Sequence, residues 1–149
     1  MLSGHKLSVL LLFLALLGCF AFETPNDRAE HVEQELTPPS ELALLMRAMA
    51  AHADSVKAAI ARDAKLPPYP SEIKALFTAT PTKDMHIDPI SYPAFGKDYQ
   101  IKVDLLYKAA KKDRSRAYNA LVQSCANCHG THCPGPLMRI KKMYVQLPE

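Results

Sequence analysis

Proline narrows the folds open to this chain more than any other residue. Prolines at 38–39, 67–68, 81, 89, 93, 134 and 136 bracket stretches whose apolar residues recur every three or four positions. A proline ends a helix or sits in its first turn, because it lacks an N–H and clashes with the turn before it. The clearest stretch begins at Glu41, behind Ser40 as N-cap, and carries Leu42, Leu45, Met46, Met49, Ala53, Val56 and Ile60 on one stripe. It is expected to end near Lys65, before Pro67. A shorter helix is predicted over Ser71 to Thr78, capped by Ser71, with Ile73, Leu76 and Phe77 facing inward. Residues 80–93 hold three prolines and no period, and read as a long loop. A third helix is predicted from about Ala94 to Lys112. Its buried side is Phe95, Tyr99, Val103, Leu106 and Ala110, widened by Ile101, Leu105 and Tyr107. The fourth starts near Ser115, with Ala117, Tyr118, Leu121, Val122 and Cys125 at helical spacing, and Pro134-Gly135-Pro136 breaks it. A short basic segment, Leu137 to Val145, follows.

Four such helices joined by short polar turns predict an all-α fold, an antiparallel up-and-down four-helix bundle. The absence of tryptophan and the five glycines agree with a helical chain. Cofactors in bundles of this kind sit in the core between facing helices.

The last helix ends in Cys125-Ala126-Asn127-Cys128-His129. Cys-x-x-Cys-His is the attachment signature of c-type haem: two thiols form thioethers to the vinyl groups and the adjoining imidazole reaches the iron. On a helix Cys125, Cys128 and His129 stand at i, i+3 and i+4, on one face. Two other readings compete with it. Cys125 and Cys128 could form a thioredoxin-like redox pair, or could join His132 and Cys133 in a zinc site.

The N-terminus bears on that choice. His5 and Lys6 precede an apolar run from Leu7 to Leu17, too short to span a bilayer, which takes about 20 residues. Leu16-Leu17-Gly18-Cys19 follows and resembles a bacterial lipoprotein signal, with Cys19 as the lipidated residue; the competing reading is cleavage after Ala21. The expected organisation is a signal peptide over 1–18, a flexible tether over 19–37 and one domain over 38–149. Lipidation would hold that domain at a membrane as an exported, cell-envelope or periplasmic protein. Export disfavours cytosolic zinc or dithiol chemistry, and four cysteines divided this way leave Cys133 unpaired. Without Lys6, 17 basic side chains face 15 acidic ones, which gives no nucleic-acid-binding surface.

The C-terminal Cys-x-x-Cys-His in a helical domain, together with Met46-Arg47-Ala48-Met49-Ala50-Ala51-His52 on the first helix, resembles cytochrome c′ and its low-spin relatives. The resemblance covers roughly residues 40–132. Leu42 and Ala43 stand where that family often has an Arg-Gln pair, and Cys133 with its following prolines stands where the family continues its last helix. What the resemblance implies is one covalent haem c held by Cys125 and Cys128, His129 as proximal ligand, and Met46 as the sixth ligand. That is a non-enzymatic electron carrier, and the resemblance also implies pairing of two copies as a homodimer. The alternative is a five-coordinate haem protein that binds nitric oxide or carbon monoxide.

Methionine on an apolar stripe is ordinarily a core filler, and Met49, Met85 and His86 are competing candidates for the sixth position. His52, Tyr99 and Tyr118 read as structural, and His132 and Cys133 as neighbours of the cofactor edge. Arg139, Lys141 and Lys142 read as a solvated face, or as a docking patch for an acidic redox partner of the envelope electron-transport chain.

Overall fold

A computed structural model describes residues 38–147. Cys19, the signal peptide and the tether lie outside the described residues. Among the described residues there are helices and no strand. None of these helices is long and apolar enough to cross a membrane.

Helix α1 (Glu41–Ala61) begins where the sequence indicates. The Ser40 hydroxyl accepts a hydrogen bond from the Ala43 N–H at 3.1 Å, satisfying one of the donors that a helix start leaves over. Its buried residues are Leu42, Leu45, Met49, Ala53, Val56 and Ala59, while Met46 and Ile60 are half-buried. The helix stops four residues short of Lys65. Asp63 takes a left-handed backbone (φ 53°), its N–H donates to the Ile60 carbonyl, and the Ala64 N–H donates to the Ala59 carbonyl. This is a Schellman close, with aspartate in the place usually held by glycine.

The second expected helix is a seven-residue 3-10 helix, η1 (Ser71–Phe77). Ser71 does not cap it. Ile73 and Leu76 are buried as expected, but Phe77 is 46% exposed, its ring lying across Gly96. Among the described residues there are therefore three long helices, with a 3-10 helix of about two turns at the second place.

Helix α2 (Ser91–Lys108) begins three residues before Ala94. Pro93 falls in the first turn, where a missing N–H costs nothing. Asp88 organises that start: its carboxylate accepts from the Ile90 and Ser91 N–H groups and from the Ser91 hydroxyl. The buried residues of α2 are Tyr92, Gly96, Tyr99, Val103 and Leu106. Ile101 and Leu105 point outward, and Ala110 lies beyond the helix end, so the buried face is narrower than the sequence indicates. The 3-10 turn η2 (Lys111–Asp113) then returns the chain into α3 (Arg114–His132). α2 and α3 share the most extensive helix–helix contact, and α1 packs against α3 and η1.

A short helix, α4 (Leu137–Lys141), and the residues after it are laced to the long helices. The Lys57 ammonium donates to the carbonyls of Lys142 and Tyr144 at 2.8 and 3.1 Å. The Asn119 amide exchanges two hydrogen bonds with the backbone of Val145. Ile140 and Met143 are buried as a result, closing a core that also holds Val56, Ile73, Val103, Leu106, Tyr118, Leu121 and Val122.

Candidate functional site

The C-terminal end of α3, the exposed edge of α1, the loop before α2 and the start of α4 enclose a cavity of about 500 Å³. Its wall brings together residues distant in sequence. Met46 comes from α1, Met85 from the loop, Cys128 and His129 from α3, and Cys133 from the segment after it. A second cavity of about 40 Å³ shares Met46, Tyr92, Cys128 and His129 with the first and adds Met49 and Cys125. Both thiols of the Cys-x-x-Cys pair, the adjoining histidine and Met46 therefore border these two neighbouring cavities, Cys125 only the smaller one. The larger volume falls in the range of about 300–1,000 Å³ in which proteins hold organic ligands and cofactors.

His129 is held in one tautomer. Its Nδ1 lies 2.9 Å from the Cys133 carbonyl oxygen. A carbonyl can only accept, so Nδ1 carries the proton and donates it, leaving the Nε2 lone pair available to a metal. Metal-ligating histidines are oriented by this type of bond to a backbone carbonyl. The acceptor exists because α3 ends at His132 and the Cys133 backbone leaves the helical region (φ −154°, ψ 80°).

Cys125, Cys128 and Cys133 are all free thiols. Burial pushes the Cys125 thiol up to about 12 and raises Cys128 as well. Thiols used for disulfide exchange are shifted the other way, toward the thiolate. The residues of the zinc alternative do not converge: among the described residues no group of three or more His, Cys, Asp and Glu side chains is placed to hold a metal ion. His132 is committed elsewhere. Ser91 gives its hydroxyl proton to Asp88, so the contact of 3.2 Å between Ser91 Oγ and His132 Nε2 needs the histidine as donor. The imidazole also meets Tyr92 and Phe95 edge-on, which fixes it in the cavity wall.

The other candidates separate clearly. Met46 borders both cavities, Met49 only the smaller one, and Met85 only the larger. His86 is exposed and borders neither. His52 is turned to Tyr107, whose hydroxyl donates to the Pro67 and Pro68 carbonyls and receives the His52 Nε2 proton at 2.9 Å. Tyr99 and Tyr118 are buried core residues, their phenols raised chiefly by that burial. No family model, curated protein or solved structure matches the chain.

Sequence reasoning does not pick out Thr82, Tyr92, Arg47 or Arg139 as wall residues. The first two belong to a stretch without periodicity. Arg139 reads as part of a solvated face or docking patch and Arg47 only as part of the Met46–His52 segment, yet both reach the cavity, and among the described residues no Asp or Glu lines it. The arrangement gives a largely apolar cavity with two thiols, an imidazole nitrogen and a thioether on its border and that of its smaller neighbour.

Proposed function

We propose that the chain is a monohaem c-type cytochrome that carries single electrons in the cell envelope. The observation that supports this most is the shared cavity, which gathers Cys128, His129 and Met46 with Cys125 adjoining, while the Cys133 carbonyl leaves His129 Nε2 free. Cys125 and Cys128 would hold haem c as thioethers, His129 would be the proximal ligand and Met46 the sixth. When bound, the haem would supply a one-electron iron couple, and ligation by the Met46 thioether together with the His129 imidazole would favour the ferrous state.

The chain's own residues do the rest. α1 and α3 pack on each other, and each would carry one of the two ligands. The apolar wall, with Leu42, Tyr92 and Pro136 among its residues, keeps water away. Cys133 orients the histidine ring. In this reading the fold is a reduced antiparallel up-and-down four-helix bundle, with α1, η1, α2 and α3 in the four places. The protein is not an enzyme. Lipidation at Cys19 would tether it to a membrane, where it meets its redox partner proteins, and Cys19→Ala would release it.

The test is an absorption spectrum of the purified mature protein, oxidised and dithionite-reduced, with and without carbon monoxide. Sharp low-spin bands on reduction, unchanged by carbon monoxide, support His129/Met46 ligation and an electron carrier. Broad high-spin bands that shift at once with carbon monoxide would replace it with the five-coordinate, gas-binding reading. A colourless protein would remove both.

A further inference from the structure

The larger cavity has an apolar wall and a cationic rim. Among the described residues Arg47 from α1 and Arg139 from α4 are its charged residues apart from the histidines, and no carboxylate borders it. Both guanidinium groups lie on the same flank. Arg47, Ala50 and Asp54 stand at i, i+3 and i+7 on α1, one row spanning about 10 Å of helix. Arg139 is drawn to that row by Asp54, whose carboxylate accepts from Arg139 Nη2 at 2.7 Å. This contact uses one edge of a group with five N–H donors and leaves the others. Among the described residues Arg47 makes no ion pair. Both side chains are exposed, so the flank they occupy is open to water. A ligand that fits has an apolar body and carboxylates on one edge.

Building on the proposed haem reading, we propose that Arg47 and Arg139 clasp the two propionate carboxylates of the haem, with Asp54 positioning Arg139. Guanidinium groups suit this task because their fork geometry matches a carboxylate and their charge persists at all working pH values. Cations at that edge disfavour the more positive, oxidised iron, so the clasp raises the reduction potential.

The experiment is redox titration of the holoprotein by visible spectroscopy, with covalent haem content measured first under denaturing conditions. Arg47→Gln and Arg139→Gln are each expected to shift the oxidised-to-reduced ratio at fixed potential by roughly three- to tenfold toward the oxidised form, tenfold being about 59 mV for one electron. Arg47→Lys and Arg139→Lys should recover most of that shift. Lys141→Gln, which removes the same charge from an exposed site outside the cavity wall, should shift the ratio less than either. The clasp is overturned if both glutamine variants keep the parent midpoint at full haem content, or if Lys141→Gln shifts it as far. A parent protein without covalent haem would overturn the proposed function itself, an outcome visible before any variant is titrated.

Discussion

Leu105 and Leu106 are consecutive leucines on α2, and truncating each to alanine should have very unequal consequences. Leu106 is 0% exposed and packed in the central core, whereas Leu105 is 52% exposed. Leu106→Ala removes buried methyl groups and leaves a cavity, a change that costs about 2.7–5.0 kcal/mol in well-packed cores. For a domain of this size that lowers the melting temperature by roughly 10–40 °C. Leu105→Ala leaves no cavity and replaces one strong helix former by another, so its effect should stay within about 0.5 kcal/mol. Urea unfolding of the two variants, followed by far-UV circular dichroism with the slope checked for constancy, measures both. Equal losses, or a larger loss at Leu105, would refute the register of α2. With that register would go the placement of Tyr92 and Phe95 against His132.

Met46→Leu conserves volume and should cost less than about 1.5 kcal/mol in stability, yet open the ferrous protein to carbon monoxide and lower its potential. Met85→Leu should leave the spectrum alone, and an unchanged spectrum in Met46→Leu would exclude that residue as ligand. The Asp88 carboxyl is held below its usual value of 3.8, first by the Ser91 N–H and then by the Ser91 hydroxyl. Glu41 is likewise held below 4.5 by the backbone N–H and hydroxyl of Thr80. Both are depressed in the folded state, so the stability they add is complete above the usual carboxyl range and is lost as pH falls through their lowered values. Unfolding midpoints should be flat above about pH 5 and fall below it. Asp88→Asn should make that fall shallower, and an equally steep fall would count against the assignment. Lys57→Met removes the donor to the Lys142 and Tyr144 carbonyls, a loss of about 1.5–3 kcal/mol for bonds of a charged group. Limited proteolysis should then cut within residues 137–147 before any other described part of the chain, and uniform resistance would contradict it.

The first helix was legible because its signals are local. Ser40 caps, and a three-four repeat of large apolar residues admits one buried face. Its end was less so: an aspartate in a left-handed conformation carries no sequence mark comparable to glycine. Pro93 misleads for a similar reason, since the same residue that breaks a helix interior is tolerated in its first turn, and only the Asp88 carboxylate decides between the two. Ile101, Leu105 and Phe77 are apolar and lie near the buried stripes, but the angular width of a buried face depends on what packs against it. The connection between Cys128, His129 and Met46 could be stated from a motif and a resemblance. The contributions of Thr82 and Arg139 to the same wall follow from a loop and a terminal segment folding back, which no local pattern encodes; Met85 is a candidate only on the condition that its loop folds over the site.

The stop at the end of α3 also sets the aim of a side chain. In a continuing helix the Cys133 carbonyl would be taken by the N–H four residues on, at Leu137; here that N–H donates to Pro134 instead. Helix length and imidazole orientation are thus a single variable. A variant of this chain that prolonged α3 by one turn would keep every residue of Cys-x-x-Cys-His and still release His129 to rotate. Conversely, any sequence with the same motif and a longer last helix must supply its histidine with a different acceptor.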